Sequence, residues 1–88
     1  MVISYLREFM VLADTLNFSK ASEILFISQP TLSRHIQIIE AEVGTTLFFR
    51  SKQTVKLTNA GNEFLREVKF ILDHYDNVIE KLNDLKKI

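Results

Sequence analysis

Between Ser28 and Gly44 stands a run of side chains able to exchange hydrogen bonds with an oriented partner: Gln29, Thr31, Ser33, Arg34 and Gln37. At 100° per residue, Leu32, Ile36, Ile39 and Val43 fall in one narrow stripe, which should be a core face. Pro30, Arg34, Gln37 and Ala41 then lie opposite, flanked by Ser33 and Ile38, with Gln29 projecting from the N-terminal end. Arginine can hold guanine through two parallel bonds, glutamine can do the same for adenine, and serine fits either. The start of such a helix adds free backbone N–H groups and a positive dipole end, both suited to a phosphate. A solvated helix face carries the same residue types, so the pattern alone leaves base reading and plain solvation open.

Other chemistries find less support. The chain has no cysteine, which removes thiolate metal sites and thiol nucleophiles together. His35 and His74 are the only histidines and have no second histidine at ligand spacing. His35 follows Arg34 on a flank of the helix, where a phosphate or solvent contact is expected. Ser28, Ser33 and Ser51 lack a histidine–acid pair to activate them, and there is no glycine-rich phosphate loop. Asp73, Asp76, Glu80 and Asp84 read as the solvated side of a last helix, and Glu40 and Glu42 as local ion-pair partners. The expectation is a protein without catalytic residues, cofactor or metal.

The elements that must position the Gln29–Arg34 run are few. Leu6, Phe9, Met10, Ala13 and Leu16 recur at helical spacing and predict a first helix that stops near Leu16. Asn17 can cap a short second helix with Phe18, Ala21, Ile24 and Leu25 inward. Ser28 caps the third, which runs from Gln29 to about Glu42 and ends at Gly44; Pro30 sits in its first turn, where a missing N–H is harmless. Thr54, Lys56 and Thr58 alternate with Val55 and Leu57 as a half-buried strand, paired with Leu47–Arg50 through Ser51-Lys52-Gln53. Thr58 then caps a helix that could reach Ile88. Three short helices, a hairpin and a long helix make a mainly α fold, a winged helix-turn-helix over residues 1–58 followed by an extension over 59–88.

At 88 residues this is one small domain, too small for a large core and a deep pocket as well. Its 47% hydrophobic and 25% charged residues exclude wholesale disorder. No apolar run approaches the roughly 18 residues of a membrane span, and Arg7 and Glu8 interrupt any leader, so a cytoplasmic protein is expected. Eleven bases balance eleven acids, and residues 17–58 carry only a modest excess of five bases over three acids. Charge alone does not identify a nucleic-acid binder.

The residues themselves resemble a known family. Asn17-Phe18-Ser19-Lys20-Ala21-Ser22, then Ile27-Ser28-Gln29-Pro30-Thr31-Leu32-Ser33-Arg34-His35-Ile36, are similar to the signature of LysR-type transcriptional regulators. Ile39, Glu40, Gly44 and Leu47-Phe48-Phe49-Arg50 continue it, and Leu57-Thr58-Asn59-Ala60-Gly61 resembles the family's turn into a linker helix. The resemblance runs in register from about Tyr5 to Leu65. It implies the DNA-binding domain of a bacterial transcription factor, with base and phosphate contacts at Gln29, Pro30, Thr31, Ser33 and Arg34, and with Arg50 as the wing arginine at the minor groove. Gln37 joins them from the helix face, and Lys52 and Lys56 as phosphate contacts. Two departures stand out. Ser51-Lys52-Gln53-Thr54 lacks the glycine and the further arginine common in family wings, and Phe49 replaces a residue that is commonly polar or acidic, either as extra core or as an exposed apolar spot.

Phe64, Val68, Ile71, Tyr75, Val78, Leu82 and Leu85 repeat at alternating steps of four and three, a seam held for three heptads. Phe64, Leu65 and Val68 are expected to pack on the domain itself. From Tyr75 onward the helix outruns so small a core and calls for a partner. A second copy is expected there, through Ile71, Tyr75, Val78, Leu82 and Leu85. The resemblance implies that the paired helices run antiparallel and that an effector is bound by a separate domain absent from these residues. The function expected is sequence-specific binding of double-stranded DNA by a homodimer that reads an interrupted inverted repeat. The alternative is a winged-helix module for protein interaction, without DNA readout.

Overall fold

A computed structural model of the chain describes residues 2–86. Its elements follow the expected order: α1 (Ile3–Thr15), α2 (Phe18–Leu25), α3 (Gln29–Val43), β1 (Phe48–Arg50), β2 (Val55–Leu57) and α4 (Asn59–Leu85). The fold is mainly helical, a winged helix-turn-helix with a long C-terminal helix.

Three helices begin where a side chain takes over an orphan backbone donor. The Asn17 Oδ1 accepts from the Lys20 N–H at 2.9 Å, the Ser28 Oγ from the Thr31 N–H at 3.2 Å, and the Thr58 Oγ1 from the Gly61 N–H at 2.9 Å. α3 ends at Gly44, whose φ of +82° is the left-handed conformation that glycine adopts freely. Two other helix ends achieve the same geometry without glycine. Leu16 and Phe26 have φ of 51° and 57°, which costs each roughly 1–2 kcal/mol. Leu16 therefore leaves the inward stripe of α1 and is exposed, contrary to the expectation from its spacing.

Phe9, Leu12, Leu32, Ile36, Ile39, Leu47 and Val68 are fully buried where α1, α3, the wing and α4 meet. The Phe9 ring stands 5.4 Å from Phe48 and 5.0 Å, edge-on, from Phe64. Two expected core residues lie outside. Ile24 is exposed because α2 turns Ala21, Ser22 and Leu25 inward, a face centred roughly 100° away from it. Val43, in the last turn of α3, overshoots the core and is also exposed.

β1 and β2 pair antiparallel, with Phe48 opposite Leu57, Phe49 opposite Lys56 and Arg50 opposite Val55. Alternation buries Phe48 and turns Phe49 outward, 64% exposed, so the second of its two expected roles holds. α4 enters beneath this hairpin at very close range: a Cβ on Gly61 would lie 2.1 Å from the Leu47 carbonyl oxygen. Val68 and Leu72 then pack on the core. Beyond Leu72 no described residue of α4 is buried.

α4 ends at Leu85 with Lys86 as its cap; the expected continuation over residues 87 and 88 lies outside the described residues. The overhang makes the molecule elongated, 54 Å in its longest direction against 26 and 19 Å. Where the overhang begins, Arg7 of α1 ties it to the head: its Nη2 donates to the Asp76 Oδ1 at 2.7 Å, and its guanidinium lies 6.0 Å from the Tyr75 ring centre. Asp76 is exposed, as expected of the solvated side of the helix, and pairs with Arg7 there. Among the described residues no helix is long and apolar enough to cross a membrane.

Candidate nucleic-acid interface

α3 is built to show one face. Leu32, Ile36 and Ile39 anchor it in the core, which leaves Pro30, Arg34, Gln37 and Ala41 exposed on the opposite side with Gln29 at its tip. Arg34 has no ion-pair partner among the described residues, and neither has Lys52 or Lys56. All three cations are exposed.

The first turn of α3 offers an anion less than the sequence led us to expect. Pro30 has no N–H, the Thr31 N–H is taken by Ser28, and the Leu32 N–H bonds the Ser28 carbonyl at 3.0 Å. The Ser28 hydroxyl also donates to the Thr31 Oγ1 at 2.8 Å, which holds Thr31 in the cap. What remains is the Gln29 N–H and the positive end of the helix dipole.

Arg50 does not extend from the wing tip. It closes β1, and its side chain folds back toward α3, where Nη1 donates to the Ser33 Oγ at 2.9 Å. The guanidinium lies 5.0 Å from the Phe18 ring centre, and Nη2 is 3.6 Å from the Glu40 Oε1. The other Glu40 oxygen accepts from the Leu47 and Phe48 N–H groups at 2.7 and 3.3 Å. One carboxylate therefore fixes both the start of the wing and its arginine. With 28% of its side chain still exposed, Arg50 forms part of an open cleft of about 660 Å³ shared with Phe18, Gln29, Pro30, Ser33, Ser51 and Val55. The structure thus brings Gln29, Pro30, Ser33 and Arg50 together. Arg34 and Gln37 stand on the same helix but outside that cleft, and Lys52 and Lys56 lie on the wing.

Sequence reasoning missed what holds the other flank of α3. His35 meets neither phosphate nor solvent as its main partner: its Nδ1 is 2.7 Å from the Glu8 Oε1, and its ring stacks on Tyr5 with centres 4.0 Å apart. Since a carboxylate only accepts, the ring nitrogen donates. No periodicity pairs residues 8 and 35, so only an acid on the inner side of α1 hinted at this contact. Among the described residues no group of three potential metal ligands comes together.

Comparison with known proteins agrees with this architecture. The family described as "Bacterial regulatory helix-turn-helix protein, lysR family" matches residues 3–62. BudR of Raoultella terrigena, an HTH-type transcriptional regulator, is 40% identical over 87 residues, or 99% of this chain and 30% of that protein. DarR of Vibrio fischeri, solved in complex with DNA, superposes with a TM-score of 0.93 at 31% identity, over 99% of this chain and 30% of that one. The CbnR_DBD–DNA complex gives 0.92 at 30% identity, over 97% of this chain and 98% of that one. The chain spans less than a third of the length of the Raoultella protein and 61% of the BudR sequence from Klebsiella aerogenes. With the fold, the helix-turn-helix and the family match in agreement, the chain belongs to the lysR family of bacterial regulatory helix-turn-helix proteins.

Proposed function

We propose that this chain binds double-stranded DNA with sequence specificity, as the DNA-binding part of a bacterial transcription regulator working in the cytoplasm without enzymatic activity. The observation that carries this reading is the exposed face of α3, where Arg34 has no ion-pair partner among the described residues and Gln37 stands beside it. α3 lies in the major groove; Arg34 and Gln37 reach base edges, and Gln29, Pro30, Thr31 and Ser33 contact bases and phosphates at its N-terminal end. Arg50 faces the backbone from the cleft beside Ser33 and turns toward the minor groove, while Lys52 and Lys56 hold phosphates. Proteins sharing this fold have been solved bound to DNA, which supports DNA binding by this chain.

Residues 1–58 form the reading head, and residues 59–88 join two heads in a homodimer. Ile71, Tyr75, Val78, Leu82 and Leu85 remain exposed on the outer half of α4, an apolar stripe that its own head leaves uncovered. In an antiparallel pair centred on Tyr75, Ile71 meets Ile79 of the second copy, with Val78 beside it. Leu82 and Leu85 reach the apolar cleft between Val43, Leu47, Ala60 and Phe64 of the other head. The two heads then read an interrupted inverted repeat. A small-molecule effector acts through a further domain, consistent with the greater length of the relatives.

Selection of random duplexes by this chain at two salt concentrations tests the reading. An enriched inverted repeat, bound more weakly at higher salt, is expected, because phosphate contacts release counterions. Arg34→Ala should cost about 1–3 kcal/mol on the selected duplex and relax preference at one base pair per half-site. The zero net charge and the exposed stripe at Leu82 and Leu85 favour a protein-interaction module instead. Absence of both enrichment and salt dependence would select that alternative.

A further inference from the structure

We infer that His35, Glu8 and Tyr5 form a positioning clasp that sets the rotation of α3 about its own axis, and thereby which base edges Arg34 and Gln37 can reach. The inference rests on the DNA-reading role proposed above for α3.

α3 is held on three sides by contacts of different kinds. Its inner face is aliphatic, Leu32, Ile36 and Ile39, and such a surface tolerates small rotations at little cost because dispersion contacts are non-directional. Its two flanks are held by directional contacts. On the wing side Ser33 and Glu40 meet Arg50, whose own contacts must change if it takes a phosphate. On the α1 side His35 meets the Glu8 carboxylate at 2.7 Å and lies nearly parallel to the Tyr5 ring, at 18°. The His35 and Glu8 side chains are only 17% and 11% exposed, so this flank keeps its geometry in any complex that occupies the outer face.

The leverage is large. An arginine tip stands roughly 9 Å from the axis of its helix, so a 10° rotation moves it by about 1.5 Å. That exceeds the roughly 0.5 Å within which a paired contact must be held. Glu8 is also a costly choice for stability alone, since a nearly buried carboxyl group gives up water and needs a hydrogen-bond partner that an aliphatic side chain would not. What an aliphatic pair would not supply is direction.

The test separates positioning from folding by removing both polar partners at once. Glu8→Leu/His35→Leu restores an apolar contact without leaving an unpartnered acid. We expect it to unfold within a few degrees of the parent chain and to keep the salt dependence of binding. Its discrimination between the selected duplex and duplexes mismatched at the Arg34 and Gln37 positions should fall about tenfold. His35→Gln keeps a donor toward Glu8 and should discriminate within about threefold of the parent, whereas His35→Leu should not. A folded double variant that discriminates as well as the parent overturns the inference. If the double variant does not fold, equal discrimination by His35→Gln and His35→Leu overturns it instead. A parent chain that selects no duplex at all refutes the DNA-reading role itself, a result distinct from either.

Discussion

The two halves of α4 carry one seam and meet two fates. Phe64, Val68, Ile71, Tyr75, Val78, Leu82 and Leu85 keep the same alternating spacing throughout. In the inner half, Gly61 touches the wing backbone, and Val68 and Leu72 are buried among α1 and the hairpin. In the outer half every described residue is exposed, and Arg7 ties the start of that half to the head through Tyr75 and Asp76. A heptad pattern states that a helix has an apolar side. What covers that side depends on how far the rest of the domain extends along it.

The largest contrast comes from placing a charge in each half. Val68→Asp buries an unpartnered carboxylate at a cost of several kcal/mol, a large part of the 5–15 kcal/mol, about, that holds a domain together. Circular dichroism should find it largely unfolded at 25 °C. Gly61→Ala should follow, because its methyl must displace the Leu47 carbonyl; about 2–4 kcal/mol of stability should be lost in urea titration. The same charge in the outer half should act on association instead. Tyr75→Asp/Leu82→Asp should keep the parent's helix content yet sediment as a monomer and bind the full repeat about 100-fold more weakly. A double variant that remains dimeric would place the interface elsewhere and end the contrast. The smallest effect belongs to the seam between the halves: Asp76→Ala removes an exposed ion pair and should cost about 0.2–1 kcal/mol, less at high salt.

Much of this was legible in the chain. Asn17, Ser28 and Thr58 announce three helix starts because a side-chain acceptor at a cap is a local device, and Gly44 announces an end for the same reason. The end near Leu16 was legible from where the helical spacing stops, but its left-handed cap was not, nor was the end at Phe26, since neither residue type favours a left-handed backbone. Phe26 is moreover 94% exposed, so burial does not explain its place. Nothing else in the structure accounts for a phenylalanine there.

At the interface the division is similar. The outward face of α3 follows from the period of a helix and the stripe of Leu32, Ile36 and Ile39. The partners on its flanks do not, because they come from residues 5, 8 and 50, brought near by packing rather than by spacing. Glu40 illustrates the difference: its sequence offers only an acid on a helix, whereas its place in the fold gives it two wing N–H groups and Arg50.

The sequence by itself therefore determined the order of the elements, the caps at Asn17, Ser28, Thr58 and Gly44, and the chemical character of the face that α3 presents. All of these depend on residues within a few positions of one another. Only the tertiary structure decided that His35 clasps Glu8, that Arg50 turns back onto Ser33, and that Leu72 is the last buried residue of α4 among those described. Those depend on distances between segments far apart in the chain, which are set by the packing of the whole core.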